Sequence, residues 1–194
     1  MQIASTPAVR AAQLAYYGRQ QPLPPTTAND RLTEQEAGFI SARDSFYMAS
    51  TNSDGWPYIQ HRGGPPGFLR VLGPDQLGFA DFKGNRQLLT TGNLAGDDRV
   101  ALFLMDYPQR MRLKILGRTR IVDARENAAL ADQLSPSPEL RDKIERLFLI
   151  EVVGYDWNCP KYITPRYTAE EVSEAVAPLR ARIAELERQL GHGA

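Results

Sequence analysis

Between Phe46 and Tyr155 the chain alternates short apolar segments with turn sequences, and that rhythm limits the fold more than any other feature. Phe46 to Thr51 and Trp56 to His61 flank Asn52-Ser53-Asp54-Gly55, a hairpin signal because Asp-Gly tolerates positive φ. Phe68 to Leu72 and Leu77 to Phe82 flank Gly73-Pro74-Asp75 and predict a second hairpin. Val100 to Met105 and Met111 to Val122 are separated by Pro108-Gln109-Arg110. Leu147 to Tyr155 follows a helical stretch over Ala124 to Leu134 and Pro138 to Arg146, and reads as the last strand. Parallel strands need a crossover of about a dozen residues or more at every step, and these connections are mostly shorter. The expectation is a mainly β fold: a six- to seven-stranded antiparallel barrel or sandwich with flanking helices.

The flanks carry the helices. Residues Thr6 to Tyr17 predict a short helix stopped by Gly18, followed by a proline-rich linker over residues 21–27. Thr33-Glu34-Gln35-Glu36 matches a capping box, so a helix is expected from Glu34 to about Arg43, with Phe39 and Ile40 inward. Leu88 to Leu94 predicts a helical turn. Near the C-terminus Val172, Val176, Leu179, Ile183, Leu186 and Leu190 form a heptad seam. Pro178 should interrupt it, which puts the helix start near Ala177. The seam has two destinations, the chain's own barrel or a second copy; no basic region precedes it, so it is not a DNA-binding zipper. This divides the chain into an N-terminal helix and linker (1–32), a barrel domain (33–163) and a helical extension (164–194).

Composition removes several classes of function. The 23 basic and 23 acidic residues cancel, which argues against a field built for nucleic acid or anionic membrane. No apolar run is long enough to span a bilayer, and the N-terminus lacks the cationic start and apolar core of a secretory signal. The lone Cys159 fits a reducing cytoplasm. Of two histidines, His192 sits in a glycine-flanked tail, so a nucleophilic Cys159 would have only His61 as its base. No metal site is expected, and the Gly-x-Ser-x-Gly elbow, the dinucleotide fingerprint and the Walker loop are missing.

Cations beside glycine at predicted strand ends are the positive signal. Arg62 precedes Gly63-Gly64, Lys83 and Arg86 flank Gly84-Asn85, and Arg112 and Lys114 share a strand. Glycine lets backbone approach a ligand closely, lysine supplies a point charge, and arginine a planar fork for two oxygens. The pattern points to a local anion site, most simply a phosphate.

Six blocks extend the signal: Trp56 to Gly64, Phe79 to Gln87, Thr91 to Leu94, Arg99 to Tyr107, Arg112 to Gly117 and Trp157 to Ile163. In order and spacing they resemble the flavin mononucleotide (FMN)-binding split-barrel family related to pyridoxamine 5'-phosphate oxidase. The resemblance implies a split β-barrel homodimer with FMN in the interface, acting as an oxidoreductase through flavin N5 on a small molecule or nicotinamide donor. It assigns the phosphate to Arg62, Lys83 and Arg86, with Asn85, Gln87, Thr91 and Asn93 in nearby polar contacts. It places Arg112 and Lys114 on the cofactor strand, and Asn158, Lys161 and Tyr162 near the flavin. His61, Gly63, Asp81 and Phe82 complete the expected cofactor-binding set. The chain departs from the oxidase at Ala80-Asp81, where Thr-Asn is usual, and lacks its C-terminal substrate-phosphate signature, so substrate does not carry over. A non-catalytic flavin sensor or store, and a deazaflavin-binding variant of the same barrel, are the alternatives; haem would depend on His61.

Overall fold

The computed structural model describes residues 2–23, 28–84, 86–157 and 160–191. It divides into two compact units, residues 1–105 with 112–159, and residues 106–111 with 160–194. The strands are β1 (Ser45–Thr51), β2 (Pro57–Gly63), β3 (Arg70–Gly73), β4 (Gln76–Phe82), β5 (Arg99–Asp106), β6 (Met111–Asp123) and β7 (Ile144–Trp157). The helices are α1 (Pro7–Tyr17), α2 (Glu34–Ser41), α3 (Leu89–Gly96), α4 (Ala128–Leu134) and α5 (Ala169–Gly191). The strands form one antiparallel sheet in the order β2-β1-β5-β6-β7-β4-β3, the split-barrel architecture expected. Among the described residues no helix is long and apolar enough to cross a membrane.

Alternation decides which side chains face inward. Phe46 and Met48 of β1, Leu102 and Leu104 of β5, Leu113 and Ile115 of β6, and Phe148 and Ile150 of β7 share one buried cluster. On the other face of β4 and β7, Ala80, Leu147 and Leu149 pack with Ala131 and Leu134 of α4. Both faces of β7 are covered there, which explains the unbroken run Leu147-Phe148-Leu149-Ile150. Gly117 sits where the β6–β7 register shifts; a Cβ there would lie 2.6 Å from the Glu151 carbonyl oxygen.

Local signals set the ends. Thr6 caps α1 by accepting from the Val9 amide, and Gly18, at φ 65°, closes it by donating to Leu14 O. Gly55 turns the β1–β2 hairpin at φ 83°. Thr33 and Glu36 form the expected capping box at α2. Several boundaries shift from expectation by a few residues. The strand read as starting at Phe68 begins at Arg70, and β7 begins at Ile144 rather than Leu147. The larger difference is α5, which runs unbroken from Ala169 with Pro178 inside instead of starting near Ala177. Thr168 N–H donates to Glu171 Oε2 (2.7 Å) and Glu171 N–H donates to Thr168 Oγ1 (3.1 Å), a second capping box. That reciprocal cap sets the start upstream, and the Thr-x-x-Glu signature was there to be read.

Glu36 ties α2 to the end of β7. The residue is 3% exposed, and its carboxylate accepts from Trp157 Nε1 at 2.6 Å and from the Thr33 amide at 2.9 Å. Burial pushes the carboxyl up, but the hydrogen bonds from Thr33 and Trp157 outweigh it and hold the pKa below its ordinary value of 4.5. A carboxylate with a depressed folded-state pKa stabilises the fold above its unfolded value, and that contribution is lost as pH falls through the folded value. Trp157→Phe should therefore cost about 1.5–3 kcal/mol near neutral pH, the worth of a hydrogen bond to a charged group. The gap from wild type should close below pH 4.5, as Glu36 protonates in both proteins. Urea unfolding across pH checks this; a gap constant down to strong acid would refute it.

Candidate functional site

Strand β2 exposes two unlike faces. Tyr58, Gln60 and Arg62 pair with Ser50, Met48 and Phe46, all buried, so they point to the core side. Past the edge of that core they line a cavity of about 250 Å³ together with Asp81, Arg86 and Arg146. Asp81 lies near the end of β4, and the antiparallel β4–β7 register sets Arg146 directly opposite it.

One carboxylate holds two guanidiniums here. Arg62 Nη1 donates to Asp81 Oδ1 at 2.6 Å, and Arg146 Nε donates to Asp81 Oδ2 at 2.9 Å. The Arg62 and Asp81 side chains are only 14% and 12% exposed. The Arg62 guanidinium also lies over Phe148 and Phe79, 5.2 and 5.7 Å from their ring centres. Its Nε is buried without a hydrogen-bond partner among the described residues. Arg86 is the third cation on the cavity wall. Arg146 also pairs with Glu145 at 3.1 Å, so three arginines face two carboxylates, an excess of one positive charge that suits an anion.

The loop into α3 supplies the remaining wall. Arg86 and Leu88 hold φ of 62° and 54°, left-handed values that cost non-glycine residues about 1–3 kcal/mol each. Leu88, the N-cap residue of α3, makes no side-chain cap bond at the positive end of the helix. Thr90 Oγ1 donates to Gln60 Oε1 (2.8 Å) and Asn93 Nδ2 to Ser50 Oγ (3.0 Å), pinning α3 to the β1–β2 hairpin. Together these features set side-chain forks and a helix start around one cavity, an arrangement suited to an anion.

The cavity gathers Arg62, Asp81, Phe82, Arg86, Gln87 and Thr91 of the expected set. Asn93 anchors α3 instead of lining it. Lys83 is exposed and off the lining, its amide bound to Lys143 O at 3.2 Å. Gly63 closes β2 opposite Ser45. His61 lies on the outer sheet face, paired with Tyr47 and edge-on to its ring. Arg112 and Lys114 flank buried Leu113 and so share that outer face, Arg112 over Phe103 at 5.9 Å and Lys114 with Asp156 at 3.2 Å. Lys161 and Tyr162 belong to the second compact unit, and Asn85 and Asn158 lie outside the described residues. Sequence reasoning missed Tyr58, Gln60 and Thr90, although counting back by twos from Arg62 reaches the first two. It also missed Arg146, which has no local signal, since it meets Asp81 across 65 residues of chain.

Fold and site define an antiparallel split barrel with a cationic cavity at one end of its core. The family model described as Pyridoxamine 5'-phosphate oxidase matches residues 32–148, and the chain belongs to this family. Among solved structures it is similar to a Clostridium acetobutylicum protein related to general stress protein 26, of the pyridoxinephosphate oxidase family. That match has 12% identity, covers 71% of this chain and 94% of that one, and has a TM-score of 0.51. HupZ of Group A Streptococcus matches at 12% identity over 70% of this chain and 99% of that one, with a TM-score of 0.50. At such identities the likeness shows the fold. No curated protein matches the chain.

Proposed function

We propose that the chain binds flavin mononucleotide and acts as an FMN-dependent oxidoreductase on a small-molecule or nicotinamide donor, as a homodimer. The observation that carries this is the cavity whose three arginines outnumber the one carboxylate among its described lining residues. The residues fit a phosphate: Arg62 and Arg146 are held by Asp81 before any ligand arrives, Arg86 brings a further fork, and the start of α3 brings the positive end of a helix. A cavity of about 250 Å³ takes a phosphate and the polyol chain beside it. The three-ring system would need walls from outside, which a second copy would supply.

When bound, the flavin supplies electron acceptance and donation at N5. The chain's own task is to hold the phosphate, fix orientation and limit water. The site's geometry assigns no side chain as acid or base.

Arg86→Gly separates cofactor binding from folding. Arg86 is exposed and sits at φ 62°, which glycine adopts freely, so its loss removes a phosphate fork without a backbone penalty. Affinity for FMN should fall about ten- to a hundredfold, the worth of one charge-assisted bond, with Tm unchanged or raised. Titration of apoprotein followed by flavin fluorescence measures it; unchanged affinity would remove Arg86 from the site. The visible spectrum of freshly purified protein tests the reading as a whole. About one FMN per chain supports it, whereas a deazaflavin, or a colourless protein that refuses added FMN, overturns the cofactor. Reduction of the bound flavin by NADH or NADPH then tells an enzyme from a flavin store.

A further inference from the structure

We infer that α5 is a dimerisation helix that pairs in parallel with α5 of a second copy, as a short two-stranded coiled coil. The helix runs 23 residues and has no buried residue. At about 1.5 Å per residue it spans about 34 Å. Its seam is open: Val172 is 49% exposed, Leu179 64%, Ile183 55%, Leu186 41% and Leu190 78%. A continuous apolar stripe of this length on a charged helix calls for a partner.

Core identity, charge and proline position indicate which partner. With the 4-3-4-3-4 spacing, Val176, Ile183 and Leu190 fall at a positions, and Val172, Leu179 and Leu186 at d. Val176 and Ile183 at two of the three a positions, with Leu179 and Leu186 at two of the three d positions, give the β-branched a and leucine d pattern that favours parallel pairs of two strands. Flanking the seam, Arg182 is at g and Glu187 at e of the following heptad, so parallel in-register helices bring each Arg182 to the other's Glu187. An antiparallel pair at full overlap would instead oppose Arg180 to Arg180 and Arg182 to Arg182, two like-charge contacts. Within one helix Arg182 pairs with Glu185, 2.6 Å away at c on the outer side, a contact it would exchange for Glu187 of the second copy. Pro178 falls at c, on the outer side, so the residue that should have interrupted the helix stays out of the interface. Parallel pairing of identical helices is a closed two-fold arrangement, the commonest symmetry of homodimers.

Single cysteines in the full-length chain, with Cys159→Ser as background, test the pairing and its direction. Leu186→Cys should oxidise to a covalent dimer, while Arg188→Cys, at the outer f position, should not. Arg182→Glu in the Leu186→Cys chain sets like charges against Glu187 and should lose the crosslink; adding Glu187→Arg should restore it. A crosslink equal at 186 and 188, or none at 186, overturns the proposal. So does one formed only when Val176→Cys and Leu186→Cys chains are mixed, because that pairing is antiparallel. Failure of the charge swap to restore the crosslink also refutes it. None of these variants touches the cavity, so a flavin-free protein would leave the test intact.

Discussion

Asp81→Ala should destabilise the fold and at the same time tighten anion binding. Asp81 stands between Arg62 and Arg146 at 2.6 and 2.9 Å, and all three side chains are 20% exposed or less. Removing one partner of a buried ion pair typically costs about 3–5 kcal/mol, because the other charge stays buried without compensation. Here Arg146 keeps Glu145 as a partner at 3.1 Å, so the lower end applies, about 3 kcal/mol. For a chain of this size that is a fall in Tm of roughly 6–12 °C. The same change takes the one carboxylate among the described lining residues from a wall that keeps Arg62, Arg86 and Arg146. Millimolar inorganic phosphate should therefore raise the Tm of the variant more than that of the wild type, since a ligand stabilises the folded state more the tighter it binds. Calorimetry with and without phosphate reads both effects. A variant that is destabilised yet gains less from phosphate would mean that Asp81 helps bind the anion, contrary to its placement between the two arginines.

Phe148→Ala should be as costly, for a different reason. Phe148 is fully buried, stacks on Phe79 at 4.8 Å between ring centres, and lies under the Arg62 guanidinium. Truncating a buried phenylalanine costs about 3–5 kcal/mol, from lost burial plus the cavity left behind. The ring is also the seat of Arg62, and a cation over an aromatic face gains about 0.5–2 kcal/mol. The variant should thus lose FMN affinity as well as stability, although residue 148 does not line the cavity. Phe148→Leu, which keeps most of the volume, should recover the larger part of the stability and not the affinity. Urea unfolding and flavin titration on both variants check this. Equal affinity in all three proteins would show that Arg62 is positioned by Asp81 alone.

The hairpins, the turn glycine Gly55 and the capping boxes at Thr33 and Thr168 are local: each depends on residues within four positions, so the sequence by itself determined them. The short connections likewise determined an antiparallel β fold. Pro178 shows the limit of single-residue rules, since the cap upstream and the outward c position outweigh one lost hydrogen bond. The cations at 62, 83 and 86 looked alike in the sequence; only strand phase and register separated them. Arg62 faces the core side because it pairs with Phe46, His61 faces away, and Lys83 falls off the wall. Arg146 joined the site, and Asp81 became the holder of two arginines, solely because β4 pairs with β7. Turns and caps spend their energy within one stretch of chain, whereas this cavity is built from long-range pairing, which no window of sequence contains.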